Sequence, residues 1–186
     1  MTGPVRERTL ALLELAAHDP RGVAPIVRAG DPVLRAVAVP YDGQLADDEL
    51  AALLDLMHRT VRAAPGVGLA APQLGLSVAL AVVEDPLADP SRERVPVPFR
   101  VLVNPRYEAA DDELAAFDEG CLSVPGYAAV VARHRRVHLV GHDEHGTALD
   151  EVLVGWPARI VQHETDHLGG TLYVDKADLR TLSVAG

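Results

Sequence analysis

The chain has 186 residues, enough for one domain with a real core. Its 48% apolar and 24% charged residues are those of an ordinary globular protein, and a formal net charge of −10 argues against a general nucleic-acid binder. The single cysteine, Cys121, excludes an intramolecular disulfide and leaves three roles open: buried thiol, nucleophile or metal ligand.

No apolar run approaches the ~18 residues of a membrane span. Met1–Arg8 lacks the uncharged stretch of a signal peptide, and Glu7 and Glu14 do not suit a transit peptide. A cytoplasmic location is expected, with no membrane partner and no sequence-specific nucleic acid.

Taken in order, residues 6–17 predict a short helix with Leu10, Leu13 and Ala17 on one face, part of an extension at about residues 5–19. Residues 22–44, rich in proline and glycine, predict an extended lead-in carrying no chemistry, with one helical turn at 31–35 capped by Asp31. The clearest helix is Asp47–Ala63, where Leu50, Leu53, Leu54, Met57 and Val61 recur at helical spacing. Pro65-Gly66 should end it. His58, in its last turn, reads as an ordinary polar residue.

Gly66-Val67-Gly68-Leu69-Ala70-Ala71-Pro72-Gln73 follows, a small-residue stretch that turns tightly or lets something approach its backbone. It lacks the lysine of a phosphate-binding loop. Either it is a tight loop, or it is a cleft wall that offers backbone amides and Gln73 to a carbonyl group. A strand is expected at Ser77–Glu84, a surface loop at 85–98, and a strand at Arg100–Asn104 closed by Pro105. Asp111–Glu113 should be a solvated turn. Cys121 comes next, between polar Glu119 and Ser123, which an inert core thiol does not need.

Val130–Gly141 predicts one long strand, paired with Thr147–Val154 through a turn at 143–146. His134, His138 and His142 would then share a solvated face. From Trp156-Pro157 the pattern turns helical, closing at Gly169-Gly170, and Leu172-Tyr173-Val174-Asp175 and a short polar tail follow. That helix carries Gln162-His163-Glu164-Thr165-Asp166-His167. Histidines four apart on a helix stand on one face and can reach one metal ion, and the intervening glutamate can meet an attacking water. This suits metal-assisted hydrolysis.

Three separated segments, Gly66–Gln73, Glu119-Gly120-Cys121-Leu122-Ser123 and Gln162–His167, resemble in order the signature motifs of the peptide deformylase family. The likeness runs over roughly residues 26–175. The first helix precedes it, and the C-terminal helix of many members has little room here. The resemblance implies an α+β fold of mainly antiparallel strands around the metal helix, in a single catalytic domain. It also implies an enzyme that removes the formyl group from formyl-Met nascent peptides, within reach of the ribosome.

Cys121, His163 and His167 would be the ligands of one divalent ion, Fe(II) first, with Zn(II), Ni(II) or Co(II) able to take the site. Glu164 would be the general base, and Gln73 and the Leu122 N–H would hold the oxyanion. Gly68 would admit the substrate backbone, and Ile160 would line the methionine pocket. Glu119 and Asp166 would support the ligands, with Arg133 as their cation. Two rival readings remain. A conventional H-E-x-x-H metallopeptidase needs a further His or Glu ligand downstream, yet the 19 residues after His167 hold neither. A non-catalytic binding domain has no use for Glu164 or Gln73.

Overall fold

Leu80-Ala81-Val82-Val83 explains the architecture in four residues. Leu80 and Val82 point into one hydrophobic cluster and Ala81 and Val83 into another, so this strand is covered on both faces. The computed structural model describes residues 3–64 and 66–184. Its larger sheet has five antiparallel strands in the order β1 (Gly68–Ala70), β2 (Leu80–Asp85), β3 (Val97–Ala109), β6 (Arg136–His142) and β7 (Ala148–Val154). A smaller sheet pairs β4 (Leu114–Cys121), β5 (Val124–His134) and β8 (Ala177–Val184). The expected α+β class is the one observed.

Helix α2 (Asp47–Ala63) covers one face of the large sheet and buries all five residues of the expected stripe. Helix α3 (Trp156–Leu168) covers the other through Trp156, Ile160, Val161 and Leu168. Between them the two helices remove both faces of the central strands from water, at about 25 cal/mol per Å² of apolar surface. Helix α1 (Pro4–Ala17) lies on α2, tied by Arg6 to Glu49. It buries Thr9, Leu12 and Ala16; Leu10 and Ala17, expected inside, are exposed.

Several boundaries differ from expectation. The glycine-rich stretch holds strand β1 and a 3-10 turn at Ala71–Leu74, and β2 begins at Leu80 rather than Ser77. Pro65 lies outside the described residues. Strand β3 continues past Pro105, because a bulge at Asn104 absorbs the irregularity. Asn104 takes φ 52° and is held there by two hydrogen bonds with the Tyr41 backbone. Across the bulge a Cβ on Gly141 would sit 3.1 Å from the Val103 carbonyl oxygen, so the partner strand needs glycine. The expected strand 130–141 is two strands that belong to different sheets, and the polar tail is β8. His134 is therefore parted from His138 and His142, and His138 pairs with Asp150. The turn at Pro32–Arg35 forms with its Asp31 cap.

His58 also has a structural role. It and Arg62 of α2 both bond Glu84 of β2, at 2.9 and 2.7 Å. These bonds, Arg62 first, overcome burial and hold the Glu84 carboxyl down at about 2. A depressed carboxylate stabilises the fold above its unfolded value, and that contribution is lost as pH falls from 4.5 toward about 2. Glu84→Gln should therefore lower the melting temperature at neutral pH by a few degrees. The gap to wild type should close across that acid window; an unchanging gap would disprove the linkage.

Candidate active site

Cys121 ends β4 at the tip of the β4–β5 hairpin, where the register shifts between Gly120 and Cys121. Helix α3 brings His163 and His167 beneath it. The ligand atoms of Cys121, His163 and His167 lie within 4.8 Å of one another. Cys121 Sγ is 3.3 Å from His167 Nε2 and accepts from the Ser123 N–H at 3.4 Å. One thiol and two imidazoles at this spacing fit a single divalent ion of the zinc–iron group.

The histidines are oriented from behind. His163 Nδ1 is 3.1 Å from Glu119 Oε2, which leaves Nε2 for the centre. Glu119 also accepts two bonds from Arg133, at 2.7 and 2.8 Å, and one from Arg159. Burial alone would raise the Glu119 carboxyl, but His163 and Arg133 overcome it and hold it well below the usual carboxylate range. Arg133 continues to Asp166 at 2.6 Å, and Asp166 in turn accepts from Tyr107 and Lys176. The expected support by Glu119, Asp166 and Arg133 is present. Arg159, Tyr107 and Lys176 were not foreseen, although Arg159 stands one helical turn before His163, a spacing that places the two side by side.

Glu164 is 3% exposed, and its Oε2 has no hydrogen-bond partner among the described residues. Burial lifts its carboxyl to about 7, against the opposing pull of His163 and Arg133. An orphaned, proton-hungry carboxylate beside three ligands is suited to handling the proton of a water. Gln73 is 1% exposed; its Oε1 accepts from the Ala70 N–H at 2.8 Å, so its Nε2 is the atom left facing Cys121 Sγ, at 3.5 Å. Leu122, next along, makes no backbone hydrogen bond through its N–H among the described residues.

Gly68 is required by contact. A Cβ there would lie 2.3 Å from Glu164 Oε1. Gly68→Ala should displace Glu164 and lower kcat/KM by up to ~10²-fold, as displacements near 1 Å do. Unchanged steady-state kinetics would refute the contact.

A groove of about 790 Å³ opens over these groups, lined in part by Gly68, Gln73, Leu122 and Ile160. Arg92 and Arg94 of the 85–98 segment also line it, and the segment is anchored: buried Asp85 accepts from Arg94 at 2.7 and 2.8 Å and from the Trp156 indole at 2.8 Å. The lead-in, expected to be inert, laces the other side. Ala24 N–H bonds Thr60 Oγ1, Val27 N–H the Gln73 carbonyl, and Ala29 N–H the Ser123 carbonyl.

A Cys-His-His cluster shared between a hairpin and a helix, with a buried and unpartnered carboxylate beside it, has the donor set of a metal-dependent hydrolase. The polypeptide deformylase family model matches residues 23–182. Peptide deformylase 1 of Streptomyces coelicolor is 58% identical, covering 97% of this chain and 83% of that one. Peptide deformylase 3 of Streptomyces avermitilis is 62% identical over 87% and 75%. A class I type b peptide deformylase from Acinetobacter baumannii, solved with Met-Ala-Ser bound, superposes with a TM-score of 0.77 at 35% identity, over 83% of this chain and 98% of that one. The chain belongs to the peptide deformylase family. It is a hydrolase that removes the formyl group from the N-terminal formylmethionine of newly made polypeptides.

Proposed function

We propose that Cys121, His163 and His167 hold one divalent ion and that Glu164 carries the proton in formyl hydrolysis. The carrying observation is the buried, unpartnered Glu164 carboxylate beside the three clustered ligands. An ion held there supplies a Lewis acid that makes hydroxide available near neutral pH. Glu164 takes a proton from the attacking water as the water oxygen bonds the formyl carbon. The Gln73 Nε2 amide and the Leu122 N–H hold the oxygen that gains charge, each such donor being worth about 10²–10³ in rate. Glu164 then returns the proton to the methionine nitrogen as the C–N bond breaks, and formate leaves.

Gly68 lets the peptide backbone lie alongside β1 as an added strand. Ile160, 3% exposed at the groove floor, serves as an apolar contact for the methionine side chain. Fe(II) is the ion we favour; Zn(II), Ni(II) and Co(II) suit the same thiolate and imidazole donors. The same reading puts the enzyme in the cytoplasm, at the ribosome, where formylated chains emerge. Among the described residues no helix is long and apolar enough to cross a membrane.

Formate release from formyl-Met-Ala-Ser by protein prepared without air, with its metal content measured, tests the reading. A preparation fully loaded with Fe(II) that releases no formate would overturn it. Co-sedimentation with translating ribosomes tests the location.

A further inference from the structure

The groove rim is cationic on a chain of net charge −10. Five arginines line it. Arg94 and Arg159 are neutralised by Asp85 and Glu119. Arg92 lies 4.7 Å over the Trp156 ring and donates to the Asp118 carbonyl, with no carboxylate at ion-pair distance among the described residues. Arg28 and Arg21 are the remaining two. Arg28 has no carboxylate partner among the described residues, and its Nη1 donates to the Leu122 carbonyl at 3.1 Å. Arg21, which lines the same groove, meets only Asp19 at 3.6 Å, with its side chain 71% exposed.

Arg28 is also held in place. The residues on either side of it, Val27 and Ala29, donate their N–H groups to the Gln73 and Ser123 carbonyls, at 2.9 and 2.8 Å. Its guanidinium is therefore presented at a set position one residue along from Cys121. A guanidinium already ordered in this way loses little entropy when it meets a carboxylate. In the proposed reading a peptide whose formyl group reaches the centre occupies this groove, which Arg21 and Arg28 line, with the side chains that follow its methionine.

We propose that Arg28, assisted by Arg21, is a specificity-determining residue. It favours formyl-Met chains with Asp or Glu at the second or third position and disfavours those with Lys there. The inference rests on the deformylase reading but concerns the residues beyond the methionine.

The test compares C-terminally amidated formyl-Met-Ala-Ala with versions carrying Glu or Lys at position two or three; amidation removes the carboxylate that a short peptide would otherwise offer. At low salt the Glu peptide at one of these positions should exceed its Lys counterpart in kcat/KM by roughly two- to fivefold, the range that a partly exposed ion pair supports. The difference should lie in KM. It should shrink toward one in high salt, which screens exposed charges. Arg28→Gln should abolish the ratio, Arg28→Lys should keep part of it, and Arg8→Gln on α1 should leave it unchanged. A ratio of one at both positions in wild type, or a ratio that survives both salt and Arg28→Gln, overturns the proposal. Turnover of the all-alanine peptide in the same assay keeps that failure separate from failure of the deformylase reading.

Discussion

Glu164→Ala should lower kcat by roughly 10²–10⁴-fold, the contribution of a positioned proton carrier, while the protein keeps its metal. In the proposed reading Cys121, His163 and His167 would hold the ion without Glu164, so metal analysis of the variant should match wild type. Glu164→Gln is the stricter form. It preserves the volume beside Gly68, where there is no room for even a methyl group, and removes only the ability to take a proton. If the carboxylate merely filled space, the glutamine variant would keep its rate. A variant with full metal loading and wild-type kcat would end the assignment of Glu164, though not of the activity. If Gln73 and the Leu122 N–H hold the oxyanion as proposed, they should leave a residue of catalysis when the base is removed.

Glu119→Gln should cost stability on a scale that few single changes reach. Glu119 accepts from Arg133, Arg159 and His163, and the two arginines are 3% and 4% exposed. Removing one partner from a buried charge cluster leaves uncompensated charge, at about 3–5 kcal/mol. Asp166 would remain beside Arg133, which limits the damage on that side. Because the Glu119 carboxyl is held below the ordinary range, its stabilising effect is present at every pH above that range and is lost only in strong acid. Urea unfolding of wild type and variant, both stripped of metal, measures the loss; a difference under ~1 kcal/mol would mean that the cluster is no more than a surface network. With the imidazole of His163 no longer braced, metal affinity should also fall 10- to 100-fold.

The closeness of His163, Glu164 and His167 was legible because their spacing is set by one helix. His163 and His167 need only the turn of α3 to meet. Cys121 was legible through its polar neighbours and the family resemblance, not through any local rule. What stayed hidden depends on pairing between distant segments. Residues on both sides of Arg135 favour strands, so nothing local marks the change of sheet. It is decided by Arg135 N–H bonding to the Glu113 carbonyl while its own carbonyl accepts from Gly155. The lead-in was missed for a related reason. Its service to the site runs mainly through backbone N–H groups, which every residue but proline possesses. Strand β8 looked like a polar tail because a sheet edge facing water carries little hydrophobic alternation.

That last strand has a consequence in time. The β4–β5 hairpin that carries Cys121 is local and can close as soon as it is made. Its third strand and the helix bearing both histidines come later in the chain, from residues 156–168 and 177–184. Non-local pairing of this kind is slow, because long loops must close first. During synthesis Cys121 is therefore made as a lone thiol before His163 and His167 exist. If the three side chains hold an ion as proposed, its capture would be one of the last events of folding, and the unpaired thiol would be open to oxidation in the interval.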